Sequence, residues 1–316
     1  MDMKYLEAIR SLTKNLTSML SNFPTELQGF VREVAIRTDK PVVISTFSGE
    51  YFLKKDGGFS KFMPITPYIV TREELFECIR ILTEYSLHSY KSEINSGFIT
   101  IKGGHRAGIC GSSVYENGEI VAVNDISSIN LRIARQVKGV ATNLVKNIYR
   151  DCISSTIIAG PPASGKTTML KDIARCMSNG TLNYNTKLCI VDERGEIAAV
   201  YRGTPQNDVG IMTDVFDGYK KGDGMESAIR SMSPKAIILD EISGLEDVNK
   251  IKQSLNAGVA VIATVHAGSL DELYRKKYIC EMLNEGNFKH IVLLNDAQNP
   301  CTVKEIVSPK ELVLCC

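Results

Sequence analysis

Eight consecutive residues, Gly160-Pro161-Pro162-Ala163-Ser164-Gly165-Lys166-Thr167, fit the pattern G-x-x-x-x-G-K-[ST]. A loop of this kind holds the phosphates of a nucleotide. Its glycines let the backbone turn so that N–H groups converge on phosphate oxygens. Lys166 brings a positive charge to the β- and γ-phosphates. The Thr167 hydroxyl is suited to ligate Mg²⁺, and Thr168 follows at the start of a helix. The flanks agree with this. "TIIA" reads as a strand, and "TTMLKDIARCMSNG" reads as a helix with Met169, Leu170, Ile173 and Met177 on its buried side and Gly180 past its end. The positive end of that helix faces the bound anion.

Two further stretches close apolar runs on paired acids: "LCIVDERGE" on Asp192-Glu193 and "AIILDEIS" on Asp240-Glu241. A carboxylate at a strand end beside a phosphate loop holds Mg²⁺ or orients the attacking water. The plainer alternative is that such an acid caps the next helix. Asp192-Glu193-Arg194-Gly195 also fits the D-x-x-G of a GTPase switch. However, the guanine-reading N-K-x-D is missing, and its nearest approach, Asn249-Lys250-Ile251-Lys252, ends in a lysine. A small-molecule kinase would carry an arginine-rich lid, and no compact one is present.

These residues need elements to position them. From about Asp151 onward, apolar runs ("STIIAG", "KLCIVDE", "KAIILDE", "VAVIATV", "HIVLLN") alternate with helical stretches. That alternation predicts a parallel sheet covered by helices on both faces. The first part of the chain reads differently. Residues 4–20 place Tyr5, Leu6, Ile9, Leu12, Leu16 and Met19 on one helix face. "VREVAIRT" and "KPVVIST" read as strands, and Thr71 with Glu74 forms a capping box for a helix. Asn117-Gly118 predicts a tight hairpin, and "INLRIARQVKGVATNLVKNIY" reads as helical. The expected architecture is α/β: a smaller α+β domain over residues 1–145, then a P-loop domain over 146–316 with a mostly parallel sheet. The length of 316 residues suits two domains.

Composition removes several classes. The chain is 44% hydrophobic and 23% charged, with a net charge of +1, so bulk charge gives no reason to expect nucleic acid. No apolar run reaches the length of a membrane span, and the N-terminus lacks the pattern of a secretory signal. The nine cysteines (78, 110, 152, 176, 189, 280, 301, 315 and 316) include no C-x-x-C pair at zinc spacing. Several sit in apolar runs, as small buried side chains in a reducing cytoplasm would.

The order of these motifs resembles the type II and type IV secretion ATPase superfamily. The resemblance rests on the Walker A loop, on "VDERGEIA", on "RSMSPKAIILDEIS" and on "GVAVIATVHAGS" with Thr264 and His266. With "SGFITIKGGHRAGICG" and "INLRIARQVKG" upstream, the chain is similar over nearly its whole length to the stage III AA sporulation family of endospore-forming bacteria. The resemblance implies an ATPase that binds ATP and Mg²⁺. It makes Asp192 and Glu193 an acidic box and Glu241 the Walker B acid. Asp240 would share the Mg²⁺ with Thr167 and Glu241, and His266 would sense the γ-phosphate. Arg132, with Arg106, Arg135 and Arg194 as further candidates, would reach the nucleotide across the cleft between domains or from a neighbouring subunit. It also implies a homo-oligomer, a hexameric ring, docked on a membrane-embedded partner at the cytoplasmic face on the mother-cell side, energising or assembling a channel between mother cell and forespore. A P-loop assembly switch with little turnover is the competing class. The chain lacks the tetracysteine zinc element of the pilus and type II motors, reads Asp-Glu where they have Gly-Glu, and is short after His266.

Overall fold

The computed structural model describes residues 1–309. Cys315 and Cys316 lie outside that range. The chain divides into two units. One comprises Met1–Arg135 with Tyr201–Gln206, and the other comprises Gln136–Val200 with the chain from Asn207 onward.

The first unit is an antiparallel sheet with helices. Its strands are β1 (Val31–Arg37), β2 (Val43–Thr46), β3 (Gly49–Leu53), β4 (Phe59–Ser60), β5 (Phe98–Thr100), β6 (Arg106–Glu116) and β7 (Glu119–Arg132), in the order β4-β3-β2-β1-β7-β6-β5. Helices α1 (Met3–Ile9), α2 (Lys14–Ser21), α3 (Thr25–Gln28), α4 (Arg72–Leu82) and α5 (Lys91–Asn95) belong to the same unit. The helix expected over residues 4–20 is therefore two helices. The first ends at Ile9 with Arg10 as its C-cap, and Thr13 caps the second, its hydroxyl accepting from Leu16 N–H at 3.3 Å. Both still bury the expected face, with Tyr5, Ile9, Leu16 and Leu20 in the core. Thr71 caps α4 as expected, accepting from Glu74 N–H at 3.2 Å. Asn117 and Gly118 turn β6 into β7 with φ of 51° and 84°, the left-handed pair of a tight hairpin.

The stretch expected as one helix from "INLRIARQ" is mostly not helical. Leu131 pairs with Val34 of β1 on one side and Ala107 of β6 on the other, in keeping with the alternation of Ile129, Leu131 and Ile133 at the period of a strand. Only α6 (Thr142–Ile148) remains helical, and it packs Leu144 and Val145 into the second unit. Residues 136–145, expected with the first domain, thus belong with the second. The reverse holds for a short hairpin, β8 (Val200–Tyr201) with β9 (Thr204–Pro205). Its residues 201–206 join the first unit, where Arg202 and the Tyr201 hydroxyl both meet Glu84 and Gly103 N–H donates to Gln206 Oε1 at 2.8 Å. His105 is buried in the same unit and accepts from Ala134 N–H at 3.0 Å through Nδ1. Burial pushes it down to about 4, which keeps it neutral and able to accept.

The second unit contains all five expected strands. They are β10 (Ser155–Gly160), β11 (Leu188–Asp192), β13 (Ala236–Glu241), β14 (Ala260–His266) and β15 (Phe288–Leu294). Two strands that were not expected, β12 (Thr213–Asp217) and β16 (Val303–Val307), complete the sheet, whose order is β12-β11-β13-β14-β10-β15-β16. Every pairing is parallel except β15 with β16. The apolar runs are buried on both faces because alternate side chains serve two cores. Ile157 and Ala159 pack on one side, and Ile158 packs on the other. Helix α7 (Lys166–Ser178) shares the face of Ile158. Helices α8 (Lys221–Met232), α9 (Leu245–Asn256), α10 (Leu270–Arg275) and α11 (Lys277–Asn284) cover the other. Among the described residues, no helix is long and apolar enough to cross a membrane.

Candidate functional site

The phosphate-loop residues join β10 to α7 at the carboxyl end of the parallel sheet, where ligands of such folds bind. The loop needs left-handed backbone at Ala163 (φ 60°) and Gly165 (φ 89°). Gly165 has a second reason to lack a side chain: a Cβ there would lie 2.4 Å from Cys301 Sγ. Ser164 is buried, with its carbonyl accepting from Cys301 N–H at 2.8 Å. The buried Lys166 ammonium donates to the carbonyls of Gly160 (2.9 Å) and Pro161 (2.8 Å) and reaches His266 Nδ1 at 3.0 Å. An ammonium only donates, so Nδ1 accepts and the ring proton sits on Nε2. That atom faces Glu241 Oε2 at 3.7 Å.

A cavity of about 530 Å³ opens over the loop. Ala163, Gly165, Lys166, Thr167 and Thr168 line it from the loop and α7, while Glu196, Asp240, Glu241, Thr264 and His266 line it from the other strand ends. Asp240 and Glu241 are consecutive and should point to opposite faces of β13. They both reach the cavity because the register against β14 slips between Leu239 and Glu241. The slip is pinned by Thr264 Oγ1 donating to Asp240 O at 2.9 Å and by Ile242 N–H donating to Thr264 O at 2.9 Å.

The electrostatics are unbalanced toward negative charge. Thr167 Oγ1 donates to Asp240 Oδ1 at 3.3 Å. Burial, then the adjoining Glu196 carboxyl, pushes Asp240 up to about 6. Burial also pulls Lys166 below the ordinary lysine value, with Glu241 and Asp240 opposing that shift. Three carboxyl groups face one ammonium, a donor set that suits a hard divalent cation beside the Thr167 hydroxyl. Among the described residues, no three His, Cys, Asp or Glu side chains are grouped to hold a metal ion by themselves. A Mg²⁺ ion here would take much of its shell from phosphate oxygens and water.

The acidic box divides in a way the sequence did not reveal. Asp192 is fully buried, and its carboxylate accepts from three backbone N–H groups: Glu196 (2.8 Å), Ile197 (3.0 Å) and Ala198 (2.7 Å). It cannot approach a water while it holds that loop. Glu193 does not line the cavity and lies 3.8 Å from Lys221 Nζ. The acid from this loop that lines the cavity is Glu196, which sequence reasoning missed although "VDERGEIA" contained it. Of the expected catalytic pair, Asp192 thus holds the fold of the loop, and Glu193 lies outside the cavity lining.

The arginines are placed as follows. Arg132 ends β7 in the first unit and is exposed. Arg135 is committed within that unit, donating to Val31 O and to Gln28 O (2.9 Å) and pairing with Asp2 at 3.3 Å. Arg106 lies over the Phe98 ring, 4.5 Å from its centroid. Arg194 follows Glu193 in the acidic loop and does not line the cavity.

Comparison with known proteins adds the family and the fold. The model of the family described as "Sporulation stage III, protein AA" matches residues 4–314. Stage III sporulation protein AA of Bacillus subtilis (strain 168) is 36% identical over 301 residues, covering 95% of this chain and 94% of that protein. Among solved structures, the ATPase DotB of Yersinia pseudotuberculosis superposes with a TM-score of 0.57 at 14% identity, covering 96% of this chain and 83% of that one. The pilus retraction motor PilT with bound ADP superposes with a TM-score of 0.56 at 15% identity, covering 85% and 75%. At these identities, the two structures speak to the fold alone.

Proposed function

The chain belongs to the sporulation stage III protein AA family, and from that premise we propose that it hydrolyses ATP to energise or assemble a transport apparatus between mother cell and forespore. The observation that carries the reading is one cavity on one unit. It gathers Lys166, Thr167, Glu196, Asp240, Glu241 and His266 around the phosphate loop. The fold shared with DotB and PilT supports it.

In this reading the β- and γ-phosphates lie on the loop amides at the start of α7, and Lys166 exchanges its bonds to Gly160 O and Pro161 O for phosphate oxygens. Mg²⁺, when bound, neutralises phosphate charge, and Thr167, Asp240 and Glu241 are the residues that would hold it. Glu196 or Glu241 orients the attacking water, with His266 relaying the state of the γ-phosphate between Lys166 and Glu241. The protein works as a ring of copies, six in this reading, docked on a membrane-embedded partner at the cytoplasmic face on the mother-cell side. Arg132 contributes charge from another copy in the ring.

Steady-state phosphate release tests the reading. Wild type should turn over ATP under conditions where it assembles, and Lys166→Ala and Glu241→Gln should each reduce turnover by about 100-fold or more. Equal rates in all three proteins would leave only a nucleotide-binding scaffold. ADP release that depends on an added small-molecule acceptor would point to a kinase.

A further inference from the structure

The cavity over the phosphate loop has two chemically different ends. Its carboxylates and His266 come from the loop after β11 and from β13 and β14, on one flank of β10. Val137, Pro300 and Cys301 line the other end, and Pro300 and Cys301 come from the turn between β15 and β16, on the opposite flank. A triphosphate laid across the start of α7 with its γ-phosphate toward Asp240, Glu241 and His266 sends its nucleoside toward that second end.

We propose that the nucleotide base rests on an apolar shelf formed by Val137, Pro300 and Cys301, held by shape and apolar contact, so that adenine and guanine nucleotides bind with similar affinity. The proposal deepens the reading of this cavity as a nucleoside triphosphate site and rests on it.

The shelf is built in advance on both sides. Cys301 holds a left-handed backbone (φ 60°), unusual for a residue with a side chain. Its N–H donates to Ser164 O at 2.8 Å, which locks the turn to the phosphate loop. Within the turn, Asn295 N–H donates to Thr302 O at 2.9 Å, and Thr302 Oγ1 donates to Asn299 O at 2.6 Å. Val137 is pinned through its neighbours. Gln136 Nε2 donates to Asp208 O at 2.8 Å and its Oε1 accepts from Asp208 N–H at 2.9 Å, while Lys138 pairs with Asp208 at 2.6 Å. Both polar neighbours are tied to Asp208, and the valine between them lines the cavity yet stays 52% exposed, a large apolar group with area left to cover. Of the other lining residues, Thr168 sets its side chain beside the Cys301 thiol. Purines are distinguished by hydrogen bonds to their edges, and an apolar shelf supplies none.

The experiment uses the wild-type chain and Val137→Asp with ADP, GDP and pyrophosphate as probes. In equilibrium binding, wild type should take ADP and GDP within about fivefold of each other. Val137→Asp should weaken both by about tenfold, some 1.4 kcal/mol, beyond its effect on pyrophosphate, which reads the added charge alone. In parallel, alkylation of Cys301, read by peptide mass spectrometry, should slow about tenfold or more with saturating ADP and remain unchanged with saturating pyrophosphate. Equal shielding by pyrophosphate, no shielding by bound ADP, or a loss of ADP affinity in Val137→Asp no larger than that of pyrophosphate would overturn the shelf and leave the phosphate site standing. A strong preference for one purine would overturn binding by shape alone. If neither pyrophosphate nor ADP binds wild type, the reading of the cavity fails and the shelf fails with it.

Discussion

Asp192 and Asp240 make a controlled comparison within one molecule. Each stands at the carboxyl end of a parallel strand, β11 and β13 are neighbours in the sheet, and each is followed by a glutamate. Their surroundings give them opposite work. Asp192 accepts three backbone N–H bonds, which satisfy its charge and fold the loop carrying Glu196. Asp240 receives one hydroxyl from Thr167 and lies against another carboxyl, so its charge is held at a cost. A strand-end acid whose lone pairs are filled by the backbone is architecture. One left facing like charge carries a burden that a cation would relieve.

The largest expected contrast is in stability. Asp192→Ala strands three backbone N–H groups, two of them buried, and should cost roughly 3–5 kcal/mol, read by chemical denaturation. Asp240→Ala should cost less than about 1 kcal/mol, since it removes a carboxyl that burial and Glu196 oppose. Equal losses would break the comparison.

Catalysis should divide the acids of the same loop. Glu196→Gln is expected to lower ATP turnover by about 100-fold, whereas Glu193→Gln should change it by less than about threefold. A larger loss in Glu193→Gln would return the acidic box to its sequence-based assignment.

Acidity sharpens the contrast next. Because the folded-state value of Asp240 is raised to about 6, the folded state binds the extra proton between the ordinary carboxylate range and pH 6. Ionising Asp240 therefore removes stability as pH rises through that window. In Mg²⁺-free buffer, Asp240→Asn should gain about 2–3 kcal/mol relative to wild type between pH 4 and pH 7. A constant difference across that range would mean that Asp240 carries no such burden. The smallest effect is expected for Thr264→Val, which deletes the hydroxyl pinning the strand slip at Asp240. It should cost about 1 kcal/mol in stability.

What could be read in advance follows from how local each feature is. The phosphate loop, its strand and its helix are specified within about twenty consecutive residues, and the structure has them where the spacing puts them. The five apolar strands were legible because a run buried on both faces leaves no alternation to confuse. The end of β7 was misread as helix although Ile129, Leu131 and Ile133 alternate with the period of two that a strand shows, and the pairing with β1 and β6 follows that alternation. The entry of both Asp240 and Glu241 into the cavity depends on a register slip against β14, and no property of β13 alone specifies that slip. Glu196 was in view, but its place at the cavity depends on the buried Asp192 curling the loop back, which the motif alone does not specify. The turn from Asn295 to Thr302 carries no motif, and Cys301 ties it to the site through its N–H to Ser164 O and its thiol to Gly165 O.

The most direct test of the central claim is Mg²⁺-dependent phosphate release from ATP by the assembled wild-type chain, measured beside Glu196→Gln and Lys166→Ala. The account predicts turnover in wild type that falls by about 100-fold in both variants while each remains folded. Turnover in wild type no higher than in the two variants would contradict it.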